Sequence, residues 1–346
     1  MTGDTPVLGP DGRTADGSVV ADGLRITGRE RRPVFGSAFL VSAAALVVGG
    51  GIVAGAFAVS WGLFLEAGRT AEGSIANEES YVAYIDQWDA LVKVAFGVYP
   101  LLGLVAVVLI AWLLTAQAVT VAHVRERANG PDGAALTLRA LGRRTRPHVG
   151  AAFRIQLLTL ACALVPALAG LLVLAVVAME KVPGVVWPTY HDPATVQFVL
   201  VGRILPVAIW ALGLVLLYRF LPATAVRVAD NCSATAAMRR SWTLTRTTRL
   251  RTTGICLSGS VAVTLAFMVL KWFGTYVAHW AGLLMLATTG DNVWVTGVLV
   301  IITPVAVALV LLPLVLAPMG VLLACLRERL DAGGRGARTR SGSTTA

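Results

Sequence analysis

Six stretches of this chain are apolar for long enough to cross a lipid bilayer, and nothing else in the sequence narrows its folds so far. A hydrocarbon core of about 30 Å is crossed by roughly 20 helical residues. The stretches run over residues 35–65, 91–122, 149–179, 197–221, 253–272 and 293–326. Composition points the same way. Of 346 residues, 56% are hydrophobic and only 14% charged, whereas a soluble domain carries about 25% charged residues. Too little polar surface remains to coat a globule in water, so lipid must cover part of it.

The segments between the stretches alternate in charge. Residues 66–90 hold Glu66, Glu72, Glu78, Glu79, Asp86 and Asp89 against Arg69. Residues 123–148 hold Arg125, Arg127, Arg139, Arg143, Arg144 and Arg146, and residues 222–252 hold Arg227, Arg239, Arg240, Arg246, Arg249 and Arg251. Short cytoplasmic loops collect Lys and Arg. Of 29 such residues, all but Arg69, Lys93, Lys181, Arg203 and Lys271 fall on the side that carries both termini. Termini on one side require an even number of spans, and six are found. The expectation is therefore an all-α, polytopic membrane bundle with both termini cytoplasmic. The net charge of +10 then reports orientation rather than nucleic-acid binding. Basic residues are nearly all Arg, which suits a GC-rich bacterial genome and so a bacterial plasma membrane.

Residues 1–34 and 327–346 are polar and Arg-rich, and read as disordered cytoplasmic tails around a transmembrane domain of residues 35–326. The apolar run begins too late for a signal peptide. The fifth span has the least defined end: Lys271 and Trp272 are followed by an apolar stretch broken by Gly274, His279 and Gly282. Residues 273–290 either extend that helix or lie along the outer interface, where Trp272, Phe273, Tyr276 and Trp280 suit an aromatic belt. The two basic loops with their flanking spans are faintly alike.

Chemistry-bearing motifs are sparse. The cysteines at 162, 232, 256 and 325 form no CxxC pair and fall within spans or on the cytoplasmic side, which disfavours disulfides. The histidines at 123, 148, 191 and 279 are too scattered for a metal site. No Walker A, HExxH, GxSxG or dinucleotide fingerprint is present. Neither a cofactor nor an enzyme is expected. Lys93, Arg154, Arg203, Arg219 and Lys271 lie near span ends, from which long basic side chains snorkel to the interface. Arg203, about two turns inside the fourth span beside Pro206, is a candidate intramembrane anion site. Pro100, Pro166, Pro206, Pro304 and Pro313 permit kinks. Gly51 and Gly55 allow close helix approach, expected inside the monomer.

The most specific stretch is the second basic loop. Asn231 or Ser233 can cap a helix, and Ala234, Ala237, Met238, Ser241, Trp242 and Thr245 then recur at helical spacing. Residues 233–246 are expected to lie on the inner leaflet, Met238 and Trp242 entering the acyl boundary, with Arg239, Arg240, Trp242 and Arg246 as headgroup contacts. A purely structural interfacial helix fits the same pattern.

The run from Ala237 through Met238, Arg239, Arg240, Ser241, Trp242, Thr243, Leu244 and Thr245 to Arg246 follows a span ended by Pro222 and an Ala225–Val228 strip. It resembles the membrane domain of some prokaryotic glycerophosphoryl diester phosphodiesterases. The likeness covers about residues 218–260, and elsewhere extends only to helix number. In those enzymes a soluble barrel performs hydrolysis. No segment between or beside the spans here exceeds about 35 residues, so the resemblance implies a membrane module and not the activity. Two functions are expected from different classes. One is a non-enzymatic membrane module that associates with anionic lipid or scaffolds partners through its basic helices. The other is a permease-like subunit whose cytoplasmic loops dock a separate ATPase.

Overall fold

The computed structural model describes residues 18–77, 87–129, 135–179, 181–185, 195–246, 249–289 and 293–342. Every regular element among them is helical. In order these are α1 (Val19–Arg29), α2 (Arg31–Ala76), α3 (Trp88–Asn129), α4 (Leu138–Ala178), α5 (Val196–Phe198), a π-helical segment (Val199–Ile204), α6 (Leu205–Phe220), α7 (Ala223–Asp230), α8 (Ala234–Arg246), α9 (Arg249–Thr289) and α10 (Val293–Gly342). Six stretches are long and apolar enough to span a membrane: Arg31–Glu66, Val92–Ala128, Leu138–Ala178, Val196–Asp230, Thr252–Leu284 and Val310–Ala332. Their large side chains point outward; Val59 is 80% exposed, Phe96 75% and Val47 74%. Apolar exposure on this scale is untenable in water and suits lipid as the surrounding solvent.

Both expected tails are shorter than their composition suggested. Ser18 caps α1, its hydroxyl accepting from the Ala21 amide at 3.1 Å, with Asp22 in the first turn and Arg29 in the last. That charge order complements the helix dipole. Val19, Gly23, Ile26 and Thr27 form one buried face. At the other end α10 continues to Gly342. Residues 19–29, 31–34 and 327–342 are thus helical, and the ion pairs described below engage Asp22 and residues 327–331. Residues 1–17 and 343–346 lie outside the described residues.

The chain divides into two compact units. One comprises Arg31–Leu113 and Ser260–Met319. Within it the Ser42 hydroxyl donates to the Val310 carbonyl at 2.8 Å, and Phe57 stacks on Phe64 at 5.3 Å. Gly274 lets α9 approach Val307, whose Cγ1 would lie 3.0 Å from an added Cβ. Gly51 and Gly55, expected to pack inside the monomer, meet nothing within 4 Å. The fifth span does not end at Trp272; α9 runs on unbroken to Thr289. Trp272, Tyr276 and Trp280, one turn apart, form an exposed ladder with centroids 6.2 and 6.3 Å apart.

The other unit holds Met1–Glu30, Leu114–Gly259 and Gly320–Ala346. Its centre is α4 packed on α6. An added Cβ at Gly170 would lie 2.7 Å from Trp210 Cδ1, and Trp210 Nε1 donates to the Ala167 carbonyl at 3.3 Å. Where α5 passes into α6, the amide of Leu205 donates to the Leu200 carbonyl, five residues back. Pro206 follows. Its missing N–H and its ring forbid the normal turn to Gly202, and a π-turn absorbs the conflict. Gly202 there packs under Phe198 and Val177. Buried Thr120, Thr145 and Thr245 satisfy their hydroxyls on the carbonyls four residues back, at Ala116, Leu141 and Ser241, whereas Thr159 Oγ1 is buried without a hydrogen-bond partner among the described residues.

Candidate functional site: an ionic cluster and the basic helix

Helix α8 forms where the sequence places it. Ser233 accepts from the Ala236 amide at 3.3 Å. Asn231 does not begin it but ends α7, in the left-handed conformation with φ 47°. Asn tolerates this region better than other non-glycine residues. The buried face of α8 is Ala237, Ser241 and Thr245. Ala237 joins Ile155, Ala223 and Val226 in a core with Met238 packed on its edge. The Ser241 hydroxyl donates to the Arg219 carbonyl at 2.6 Å, and Gln156 Nε2 donates to Thr224 Oγ1 at 2.9 Å. These contacts seat α8 on α4, α6 and α7.

The expected headgroup contacts therefore separate. Arg239 and Arg246 are exposed and have no carboxylate within 4 Å among the described residues. Trp242 is half-buried against protein. It stacks on Phe220 at 5.7 Å, and the Arg219 guanidinium stands over its ring at 4.1 Å, a cation–π distance. Trp242 and Met238 thus pack in part against their own chain, on Phe220 and the α4–α7 core.

Arg240 is likewise engaged within the protein. Its Nη2 donates to Asp331 Oδ1 at 3.2 Å, and its Nη1 lies 3.1 Å from Asp230 Oδ2 without hydrogen-bond alignment. Arg327 bridges the same two carboxylates, with Nη2 2.7 Å from Asp230 Oδ1 and 2.7 Å from Asp331 Oδ2. Here α7, α8 and α10 meet. The Asp331 hydrogen bond, aided by the charges of Asp230 and Asp331, holds the Arg240 pKa above its ordinary value despite partial burial. A raised pKa on a base contributes stability below the ordinary arginine range, so Arg240 supports this junction throughout the neutral range. Two further pairs extend the cluster: Arg125 Nε to Glu328 Oε2 at 2.9 Å, and Arg329 Nη2 to Asp22 Oδ2 at 2.7 Å. The second docks α1 on α10.

Arg203, the candidate intramembrane anion site, sits in the π-helical segment with its side chain exposed and its guanidinium 5.7 Å from the Phe198 ring. It is not brought to the ionic cluster. Four residues that sequence reasoning missed, Asp22, Asp230, Glu328 and Asp331, organise that cluster. The only signal for them was their scarcity on an otherwise basic side. Among the described residues, no three His, Cys, Asp or Glu side chains gather as a metal centre needs. Cys256 and Cys325 are buried, Cys162 and Cys232 half-buried, all as free thiols. Compared with protein-family models, curated proteins and solved structures, the chain matches none.

Proposed function

We propose that the protein is a non-enzymatic, multi-pass module of a bacterial plasma membrane, which associates with anionic lipid through α8. The observation that carries this reading is the split face of α8: Ala237, Ser241 and Thr245 are buried, while Arg239 and Arg246 are exposed with no carboxylate within 4 Å among the described residues. A helix anchored by protein on one side presents fixed positive charge on the other. Each basic residue at an anionic surface is worth about 1 kcal/mol, falling with salt. The likeness of residues 237–246 to the membrane domain of prokaryotic glycerophosphoryl diester phosphodiesterases supports a module without the hydrolytic barrel. Changing Arg239 and Arg246 together to Gln is expected to lower anionic-lipid retention on the purified protein several-fold. Retention equal to wild type at low salt would overturn the lipid reading.

The inward packing of Trp242 favours a second reading, a permease-like subunit docking a separate ATPase on the same polar face. Copurification of a nucleotide-hydrolysing subunit with wild type, lost in the Arg239/Arg246 double variant, would establish it.

Both readings place the basic loops in the cytoplasm, as the charge alternation requires. Reporter fusions at Glu78, Pro188 and Asp291 are expected outside, and those at Asp132, Ser233 and Arg335 inside. A cytoplasmic signal at Glu78 would contradict the six-span topology.

A further inference from the structure

The ionic cluster has a surplus cation. Arg125, Arg240, Arg327 and Arg329 face Asp22, Asp230, Glu328 and Asp331. Arg227, on α7 one turn before Asp230, has no carboxylate within 4 Å among the described residues. Asp230 is already engaged by Arg240 and Arg327. The buried part of its guanidinium, Nε, has no compensating partner, which costs free energy.

The geometry of Arg227 is specific. Its Nη1 donates to Asn231 Oδ1 at 2.6 Å. Asn231 is held for this by its left-handed backbone at the end of α7. The bond orients the guanidinium and leaves the opposite edge, Nε with Nη2, uncommitted. Nε is buried and has no hydrogen-bond partner. That edge is a planar two-donor fork matching two oxygens of a phosphate or carboxylate. A second orphan lies nearby: His148 Nδ1 on α4 is also buried without a partner, and the Arg227 charge acts on its ring. A buried donor on α7 and a buried ring nitrogen on the adjoining α4 each carry the penalty of an unmade hydrogen bond. One oxyanion would relieve Arg227 Nε and balance its charge, and would accept from His148 Nδ1 in the tautomer that carries the proton there. Both residues are only half-buried overall, so the site is reachable from outside.

We propose that the Nε–Nη2 edge of Arg227, oriented by Asn231 and joined by His148 Nδ1, is a binding site for a single phosphate group. The site itself stands on these contacts; only a lipid source for the phosphate rests on the function proposed above. It differs from the diffuse attraction of Arg239 and Arg246 in being stoichiometric and geometric.

Native mass spectrometry of the full-length protein distinguishes the two, using phosphatidylglycerol, phosphatidylethanolamine or inorganic phosphate as the added probe. One probe molecule should survive activation that strips the remaining lipid from wild type. Retention of phospholipid identifies a lipid headgroup. Thermal stabilisation by inorganic phosphate at constant ionic strength, without retained phospholipid, identifies the free anion. Arg227→Gln should lose the tight molecule, and His148→Gln should weaken it. Arg227→Lys keeps the charge and the fold but lacks the fork, and should bind roughly tenfold or more weakly. The Arg239/Arg246 double Gln variant should keep the tight molecule while losing the diffuse enrichment. Binding to Arg227→Lys equal to wild type, or no Arg227-dependent binding of any probe, would overturn the proposal.

Discussion

Asp331→Asn is expected to destabilise the protein by roughly 3 kcal/mol, the scale for removing one partner of a buried ion pair. Asp331 and Arg327 are only 9% and 14% exposed at the side chain, so solvent screens them little. The amide leaves Arg327 facing Asp230 alone and frees Arg240 from the bond that holds α8 to α10. Thermal unfolding in detergent should show the midpoint fall by about 6 °C, taking about 2 °C per kcal/mol for a chain of this size. Arg144→Gln is the control. Its pair with Glu126, at 3.1 Å, is as short as the 3.2 Å Arg240–Asp331 contact, but the side chains are 51% and 64% exposed, and such pairs are worth about 0–1 kcal/mol. Equal midpoints for Asp331→Asn and wild type would show that the cluster does not hold these helices together.

Gly320→Ala should be nearly as damaging for a steric reason. A methyl at Gly320 would lie 2.8 Å from Gln117 Cγ, 3.0 Å from its Cβ and 3.2 Å from Leu114 Cδ2. Gln117 is fully buried, so its stem has nowhere to swing. In a close-packed interior the added methylene costs about 1–3 kcal/mol, here at the upper end because Cβ itself is in the way. The midpoint should fall by about 4–6 °C. Adding Gln117→Ala should recover part of the loss, since residues in contact couple. Strict additivity would mean that Gly320 matters for some reason other than the room taken by Gln117.

The spans were readable because bilayer thickness imposes a length that composition reveals directly. The register of α8 was readable too, since Ser233 and the spacing of Ala237, Ser241 and Thr245 encode it locally. What covers its apolar edge was not. Met238 and Trp242 carry the same signal whether lipid or protein receives them, and the contest was decided by Phe220 and Arg219, twenty residues away. The helicity of α1 was hidden for a related reason. Its eleven residues, with Asp22, Arg25, Thr27, Arg29 and two glycines among them, read as tail, and they are held by Leu322 and Arg329 some three hundred positions later. The pairing of Arg240 and Arg327 with Asp230 and Asp331 was equally illegible, since like residues throughout a basic loop give no hint of which is engaged. The surplus at Arg227 emerges only once the pairings of Arg125, Arg240, Arg327 and Arg329 around it are known.

The Asp22–Arg329 pair joins residues separated by 307 positions, and this has a bearing on how the chain is made. A ribosome releases α1 first and the partner segment of α10 last. Until residues 327–331 of α10 emerge, Asp22 and Arg125 await their partners, while Asp230 and Arg240 have only each other. The earlier helices can enter the bilayer one by one, but the charged unit closes only after residues 327–331 have been synthesised. A nascent chain stalled before Gly320 would leave Asp22 and Arg125 without their partners and α1 without the contact that docks it.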